Sequence, residues 1–259
     1  MGVINALLDY LVAVNYLIAN PMRASRRRRK KILKGAPKID RSVSMDVIRS
    51  VLAALEALVD TEASMTAKKS AVRNLFIVRF LANTGLRRTE LAQARMRDFF
   101  TIKTAQGKGL FLEVVGKGDK RRYVVVNSTA LDALRVYRAF YGLTTEPSPD
   151  DDCPLLLAVS GSNAKSHEVL TDGVVYAASK SAMESALATI PDLDESTSTS
   201  LRKASPHWFR HAYASACLAM GYSINAVQDQ LGHESISTTA GYQHQHSIAR
   251  HQELSGLAL

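Results

Sequence analysis

The sequence predicts a mainly α-helical protein carrying a small antiparallel β-sheet. Three observations lead there. Apolar residues recur at helical spacing along most of the chain. Two β-rich runs, FLEVV and RYVVVN, flank Gly116-Lys117-Gly118-Asp119, a hairpin turn by its residue types. The 259 residues are 46% hydrophobic and 22% charged, a balance that suits a soluble globular chain of one large domain or two small ones.

The elements follow in order. In residues 3–19, Asn5, Asp9 and Ala13 recur every fourth position while Ile4, Leu7, Leu8, Leu11 and Ile18 fill the other side, which predicts an amphipathic helix. Asp9 interrupts the apolar run and no basic segment precedes it, so neither a signal peptide nor a membrane anchor is expected. Asn20-Pro21 stops the helix. SRRRRKKILKG (25–35) is an exposed basic linker, open to three readings: a solvated tether, a tract following DNA phosphates, or a nuclear localisation tag.

Ser44 caps a helix over MDVIRSVLAALEALV, and a second runs from about Ala67 to Asn83, broken at Thr84-Gly85. A third opens at Thr89-Glu90 and runs towards Arg97. The hairpin follows from about Leu110, then a helix near 129–141. Asp150, Asp151 and Asp152, among prolines, read as a solvated turn and not as a metal site. LLLAV (155–159) reads as a short strand, 171–189 as a helix, and DLDESTSTSLRK as a mobile polar loop. The remainder is helical.

A net charge of +9 and a pI near 9.6 favour a polyanionic partner, leaving nucleic acid, anionic membrane and acidic protein open. Cys153 and Cys217 lie far apart without CxxC spacing, which excludes a disulfide framework and a cysteine-rich zinc site and fits a reducing cytoplasm.

Chemistry concentrates near the C-terminus. PHWFRHAYASACLAMGYSINAVQDQLGHESISTTAGYQHQH holds H-x-x-R (His207, Arg210), L-G-H (His233) and T-T-x-x-Y (Tyr242). His207 and His211 have i,i+4 spacing, but HWFRH lacks the glutamate of a zinc HExxH, and its arginine would repel the ion. Upstream lie T-G-L-R (Arg87) and the hairpin lysine, Lys117.

In this order and spacing the motifs resemble the catalytic site of the tyrosine recombinases, the phage-integrase family. The resemblance covers residues 36–259 as a catalytic domain. Residues 1–35 resemble the last helix of the family's core-binding domain plus its linker, with most of that domain lacking. The resemblance implies a DNA breaking-rejoining enzyme, a site-specific recombinase working through a 3′-phosphotyrosyl intermediate without metal, cofactor, small-molecule ligand or ATP.

It implies a role for each site residue. Arg87 and Arg210 bind the scissile phosphate, a planar guanidinium fork being suited to two oxygens at once. His207 and His233 donate to the same phosphate, and His207 can accept the nucleophile's proton. Lys117 protonates the departing 5′ oxygen. Tyr242 is the nucleophile, since a phenol is a better leaving group than a sugar hydroxyl and its phosphodiester can be re-attacked. Glu90 is expected to hold an arginine or histidine in place, Arg88 to be a DNA-backbone contact or a surface charge, and Lys120, Arg121 and Arg122 to touch phosphates or lie on a wet face.

Double-stranded DNA, a homo-tetramer assembled on it, no membrane and a cytoplasmic location complete the expectation. The tail after Tyr242 packs into a neighbouring protomer or back on its own domain. Two competing readings stay open: a truncated relative that binds DNA without completing recombination, and topoisomerase-like nicking and resealing.

Overall fold

The computed structural model describes residues 8, 10–12, 17, 20, 45–104, 107–116, 120–159, 168–191 and 193–232. The chain divides into two compact units, Met1–Arg41 and Ser42–Leu259. In the first, residues 8 and 10–12 are helical, and the amide of Leu17 donates to the carbonyl of Leu11 at 3.1 Å. The rest of the expected N-terminal helix, the basic linker and the Ser44 cap lie outside the described residues.

The second unit is helical around one three-stranded antiparallel sheet. Helix α1 (Met45–Thr61) buries Ile48, Val51, Leu52 and Leu55, the i, i+3, i+4, i+7 stripe its sequence predicts. Helix α2 (Met65–Thr84) is buried on nearly all sides from Ala71 onward, as befits a helix packed against four others. Those are α1, α4 (Ser128–Phe140), α5 (Asp172–Thr189) and α7 (Pro206–Ala219). Each large apolar side chain it buries, such as Phe80 or Leu81, contributes about 1.5–3 kcal/mol. Phe76 stacks on Tyr137 of α4 at 4.4 Å, and the Tyr137 hydroxyl accepts from the amide of Leu157 at 2.9 Å.

Helix α3 (Arg88–Gln93) is shorter than expected and is followed by a 3-10 turn, Met96–Asp98. The helix stops at Ala94 because the backbone there is pulled into other pairings. Ala94 O accepts from Leu155 N at 2.8 Å, and Met96 N donates to Cys153 O at 3.0 Å.

The sheet runs β1 (Phe99–Thr104), β2 (Gly107–Val115) and β3 (Arg121–Val125), in that spatial order. The β2–β3 hairpin is as predicted, and β1 is an additional strand pairing Phe99 with Leu112 through Thr104 with Gly107. Alternation splits the sheet between two cores. Leu112, Val114 and Val124 join the main core, whereas Phe111, Ile102 and Val125 pack with Tyr213, Cys217, Val227 and Leu231. The latter four lie on α7 and on α8 (Ile224–Leu231), so the sheet is clamped from the side of the helix that carries the H-x-x-R motif.

Three expectations are corrected. LLLAV forms no strand: residues 155–159 are a bend whose Leu155, Leu156 and Leu157 are buried, with one isolated bridge between Arg95 and Pro154 beside it. The polar segment DLDESTSTSLRK contains a helix, α6 (Glu195–Lys203), capped by the Asp194 carboxylate accepting from Thr197 N at 2.8 Å and anchored by buried Leu201. The acidic turn is ion-paired: Asp151 meets buried Arg138 at 2.6 Å, and Asp152 meets Arg97 at 2.7 Å. Among the described residues no helix is long and apolar enough to cross a membrane.

Candidate active site

The T-G-L-R segment works through its glycine. Gly85 ends α2 in the left-handed conformation (φ 65°), which lets the chain turn sharply into the extended Leu86-Arg87. A Cβ there would lie 2.7 Å from Leu231 and 2.9 Å from the Tyr213 ring, so the position also permits the close approach of α7 and α8. Arg87 then caps α3. Its amide donates to Glu90 Oε2 and its Nη1 to Glu90 Oε1, both at 2.7 Å, and its Nη2 donates to the Gly232 carbonyl at 2.8 Å. The side chain stays 38% exposed, enough to face a ligand.

Arg210 approaches from α7, a helix started by Pro206 in its first turn. It is buried, with Nη1 donating to the Gly85 carbonyl at 2.7 Å and Nη2 to that of Leu231. Burial, with Arg87 and Arg122 nearby, pushes its pKa down to about 9, still above neutrality, so the guanidinium remains cationic.

Glu90 sits beneath both, 3% exposed, and its other oxygen-bound partner is Arg122 of β3, whose Nη2 lies 2.6 Å from Oε2. Burial alone would raise the Glu90 carboxyl; Arg122 and Arg87 more than offset that and hold it below its ordinary value. Arg122 also donates from Nη1 to the carbonyl of Gln230. The Gln230 side chain, fully buried, donates to Thr84 O at 3.0 Å and Val125 O at 3.1 Å and accepts from Val125 N at 2.9 Å. One amide thus ties α8 to the free edge of β3 and to the end of α2.

His207 lies one turn before Arg210 and is exposed, its ring edge-on to His211 at 4.3 Å. Partial burial, then the neighbouring charges of His211, Arg210 and Arg87, lower its pKa below the ordinary imidazole value. The ring is therefore neutral at pH 7 and able to accept a proton.

Of the six predicted site residues, Arg87, Arg210 and His207 converge: the two arginines donate to the consecutive carbonyls of Gly232 and Leu231, and the charges of both act on His207. Lys117, His233 and Tyr242 lie outside the described residues. The residues preceding the first two are described. Gly116, just before Lys117, is placed so that a Cβ on it would lie 3.9 Å from Arg87 Nη1 and 4.0 Å from Glu90 Oε1. Gly232, just before His233, carries the carbonyl that Arg87 binds.

Glu90 has the holding role expected of it. Arg88 pairs with Asp172 at 3.0 Å and lies over the Tyr176 ring, as a surface charge does. Arg122 is a correction: its side chain is only 12% exposed and is paired, neither on a wet face nor free for phosphate. Strand parity gave no signal, since both faces of the sheet are packed and Arg121, on the face of buried Val125, is 72% exposed; Arg122 is drawn inward by Glu90, 32 residues away in the chain. Gln230 was missed as well; one amide within a helix gives no sequence signal of this kind.

The site thus gathers three guanidiniums against one carboxylate, a surplus of positive charge suited to an anion such as a phosphodiester.

Comparison with known proteins agrees. The tyrosine recombinase XerD of Rickettsia conorii is 24% identical over 245 residues, covering 94% of this chain and 71% of that protein. XerC of Leptospira interrogans (serovar copenhageni) is 29% identical over 187 residues, 72% of this chain and 51% of that protein. The chain thus spans between about half and about seven-tenths of the length of these relatives. The XerH recombinase bound to its difH substrate superposes with a TM-score of 0.52 at 20% identity, over 81% of this chain and 54% of that one. The FLP recombinase in a Holliday-junction complex gives 0.51 at 14% identity, over 91% and 53%. These likenesses establish the fold, that of tyrosine recombinase catalytic domains. The phage integrase family model matches residues 47–247, and with that span comprising most of the chain and all the described site, the chain belongs to the phage integrase family.

Proposed function

We propose that the chain is a site-specific tyrosine recombinase that breaks and rejoins duplex DNA. The observation that carries this reading is the convergence of Arg87 and Arg210 on adjacent carbonyls, with His207 one turn away. Attack on a phosphodiester builds negative charge on the non-bridging oxygens, and preorganised guanidiniums meet that charge without a metal ion.

The Tyr242 oxygen bonds to phosphorus while the bond to the 5′ oxygen breaks. The phenolic proton passes to His207, and Lys117 protonates the departing 5′ oxygen, while His233 donates to a non-bridging oxygen. The 3′-phosphotyrosyl linkage retains the bond energy, so a 5′ hydroxyl of a partner strand reverses the step without ATP. Residues 36–259 act as the catalytic domain and residues 1–35 as a helix and basic linker preceding it. The substrate is double-stranded DNA in the cytoplasm, bound by four copies of the chain.

The test begins by selecting a binding sequence from a randomised duplex pool. A nicked suicide duplex carrying that sequence then traps a covalent adduct with the wild-type chain and none with Tyr242→Phe. An adduct without recombinant product would favour a truncated relative that cannot complete recombination; no adduct at all would leave a DNA-binding protein.

A further inference from the structure

We propose that Arg122 is a positioning residue of the cleavage site: from β3 it fixes the Glu90 carboxylate, and through that shared carboxylate it sets the guanidinium of Arg87. The inference rests on the recombinase reading above.

Three features of the geometry lead to it. Glu90 receives Arg87 through both its backbone amide and Nη1, so the carboxylate defines where the Arg87 fork points. Arg122 Nη2 binds the same Oε2 that takes the Arg87 amide, at 2.6 Å, and with Glu90 at 3% exposure no solvent substitutes for it. The other Arg122 terminus donates to the Gln230 carbonyl, and the next two carbonyls, of Leu231 and Gly232, receive Arg210 and Arg87. One side chain therefore holds both the carboxylate that aims Arg87 and the helix end that supplies acceptors to both phosphate-binding arginines.

Charge requires it too. A buried carboxylate is stable only when paired. The charged groups facing Glu90 are Arg87, Arg122 and Arg210. Without Arg122, Arg87 would be the only guanidinium in contact with the carboxylate, and its charge would be spent inward. A direct phosphate contact by Arg122 is disfavoured, because the side chain is 12% exposed and both terminal nitrogens are engaged.

The experiment measures single-turnover adduct formation on the nicked suicide duplex, with duplex affinity across a salt series and a pH profile. Arg122→Gln is expected to slow cleavage about 10–100-fold, by analogy with the loss of a partner that orients a metal ligand. Affinity and its salt slope should stay those of wild type. With burial of Glu90 less opposed, its carboxyl rises, and its protonation adds to the acid limb set by His207, so that the fall in rate begins at higher pH. Arg122→Lys keeps the opposing charge and should leave that limb in place. Glu90→Gln added to Arg122→Gln should cleave no more slowly than the slower single variant.

Wild-type rates in Arg122→Gln would overturn the proposal. So would a salt slope flattened by about one, the mark of a lost phosphate contact, or independent multiplicative losses with an unmoved acid limb. A wild-type chain that forms no adduct defeats the recombinase reading itself, and this inference with it.

Discussion

Arg210 and Arg87 donate to consecutive backbone carbonyls, Arg210 to that of Leu231 and Arg87, at 2.8 Å, to that of Gly232. The two differ in exposure: Arg210 is buried and Arg87 is 38% exposed. Their replacement should therefore separate chemistry from stability. Arg210→Ala and Arg87→Ala should each slow cleavage by roughly 10²–10³ or more, the loss seen when one charge-stabilising donor is removed. Arg210→Ala should also destabilise the fold, because it leaves two buried carbonyls unpaired at about 1–3 kcal/mol each. Urea unfolding of the two variants beside adduct kinetics checks this; equal stabilities would contradict the burial argument.

Gly232 lies between Arg122 and Arg87. Its φ is 60°, and a Cβ would meet Arg122 Cδ at 2.6 Å and Nε at 2.7 Å. Gly232→Ala adds left-handed strain of about 1–2 kcal/mol and displaces the Arg122 side chain. The expected outcome is a moderate fall in unfolding midpoint together with a larger fall in cleavage rate. A variant that loses stability but cleaves at the wild-type rate would show that this contact does not matter to the site.

The pH dependence follows from His207. Its pKa is lowered by burial first and by His211, Arg210 and Arg87 after it. In the unfolded chain it titrates near 6.5, so as pH falls below about 6.5 the unfolded state takes up the proton first and stability declines. The adduct rate should hold through neutrality and fall on the acid side, with a midpoint below about 6.5. His211→Gln removes the edge-on neighbour at 4.3 Å and should move that midpoint upward. An unchanged or lowered midpoint would argue against repulsion between the two rings.

What the sequence could reveal tracks the range of the interactions involved. Helices α1, α2, α4 and α5 were readable because each carries a local apolar stripe or stop signal, and the β2–β3 hairpin because its turn is local. Strand β1 went unread because FFTIKT gains strand identity by pairing with β2. Helix α6 looked like loop because a single buried leucine outweighs its run of serine and threonine. In the site, Arg87, His207 and Arg210 were found through motif spacing, and Glu90 through its place three residues after Arg87. Arg122 and Gln230 act across 32 and 105 residues of chain. No local pattern carries such partners.

Helix α6 offers a direct test of that distinction. Leu201 is fully buried and lines a small apolar cavity with Ile48, Val51, Met183, Trp208 and Phe209. Leu201→Ala should destabilise the domain by about 2–5 kcal/mol, the range for truncating a core leucine. A mobile loop would predict almost no change. Chemical denaturation distinguishes the two outcomes without reference to DNA.

Gln230 provides the last test, because its side chain makes three hydrogen bonds that join elements distant in the chain. It donates to Thr84 and Val125 carbonyls and accepts from the Val125 amide, all inside the protein. Gln230→Leu keeps much of the volume but strands those three groups, at about 1–3 kcal/mol each where no water reaches them. Gln230→Glu still accepts from the Val125 amide, but it replaces two donations by a charge facing two carbonyl oxygens. The glutamate should therefore be the more harmful change at pH 7 and recover as pH falls, when protonation restores one donor. Leucine should show no such recovery. Unfolding curves for both variants between about pH 5 and pH 8 read the contrast, a range in which a buried, unfavourably placed carboxyl titrates. Parallel pH dependence in the two would mean that the amide lies in a wetter setting than the buried bridge between α8, β3 and α2.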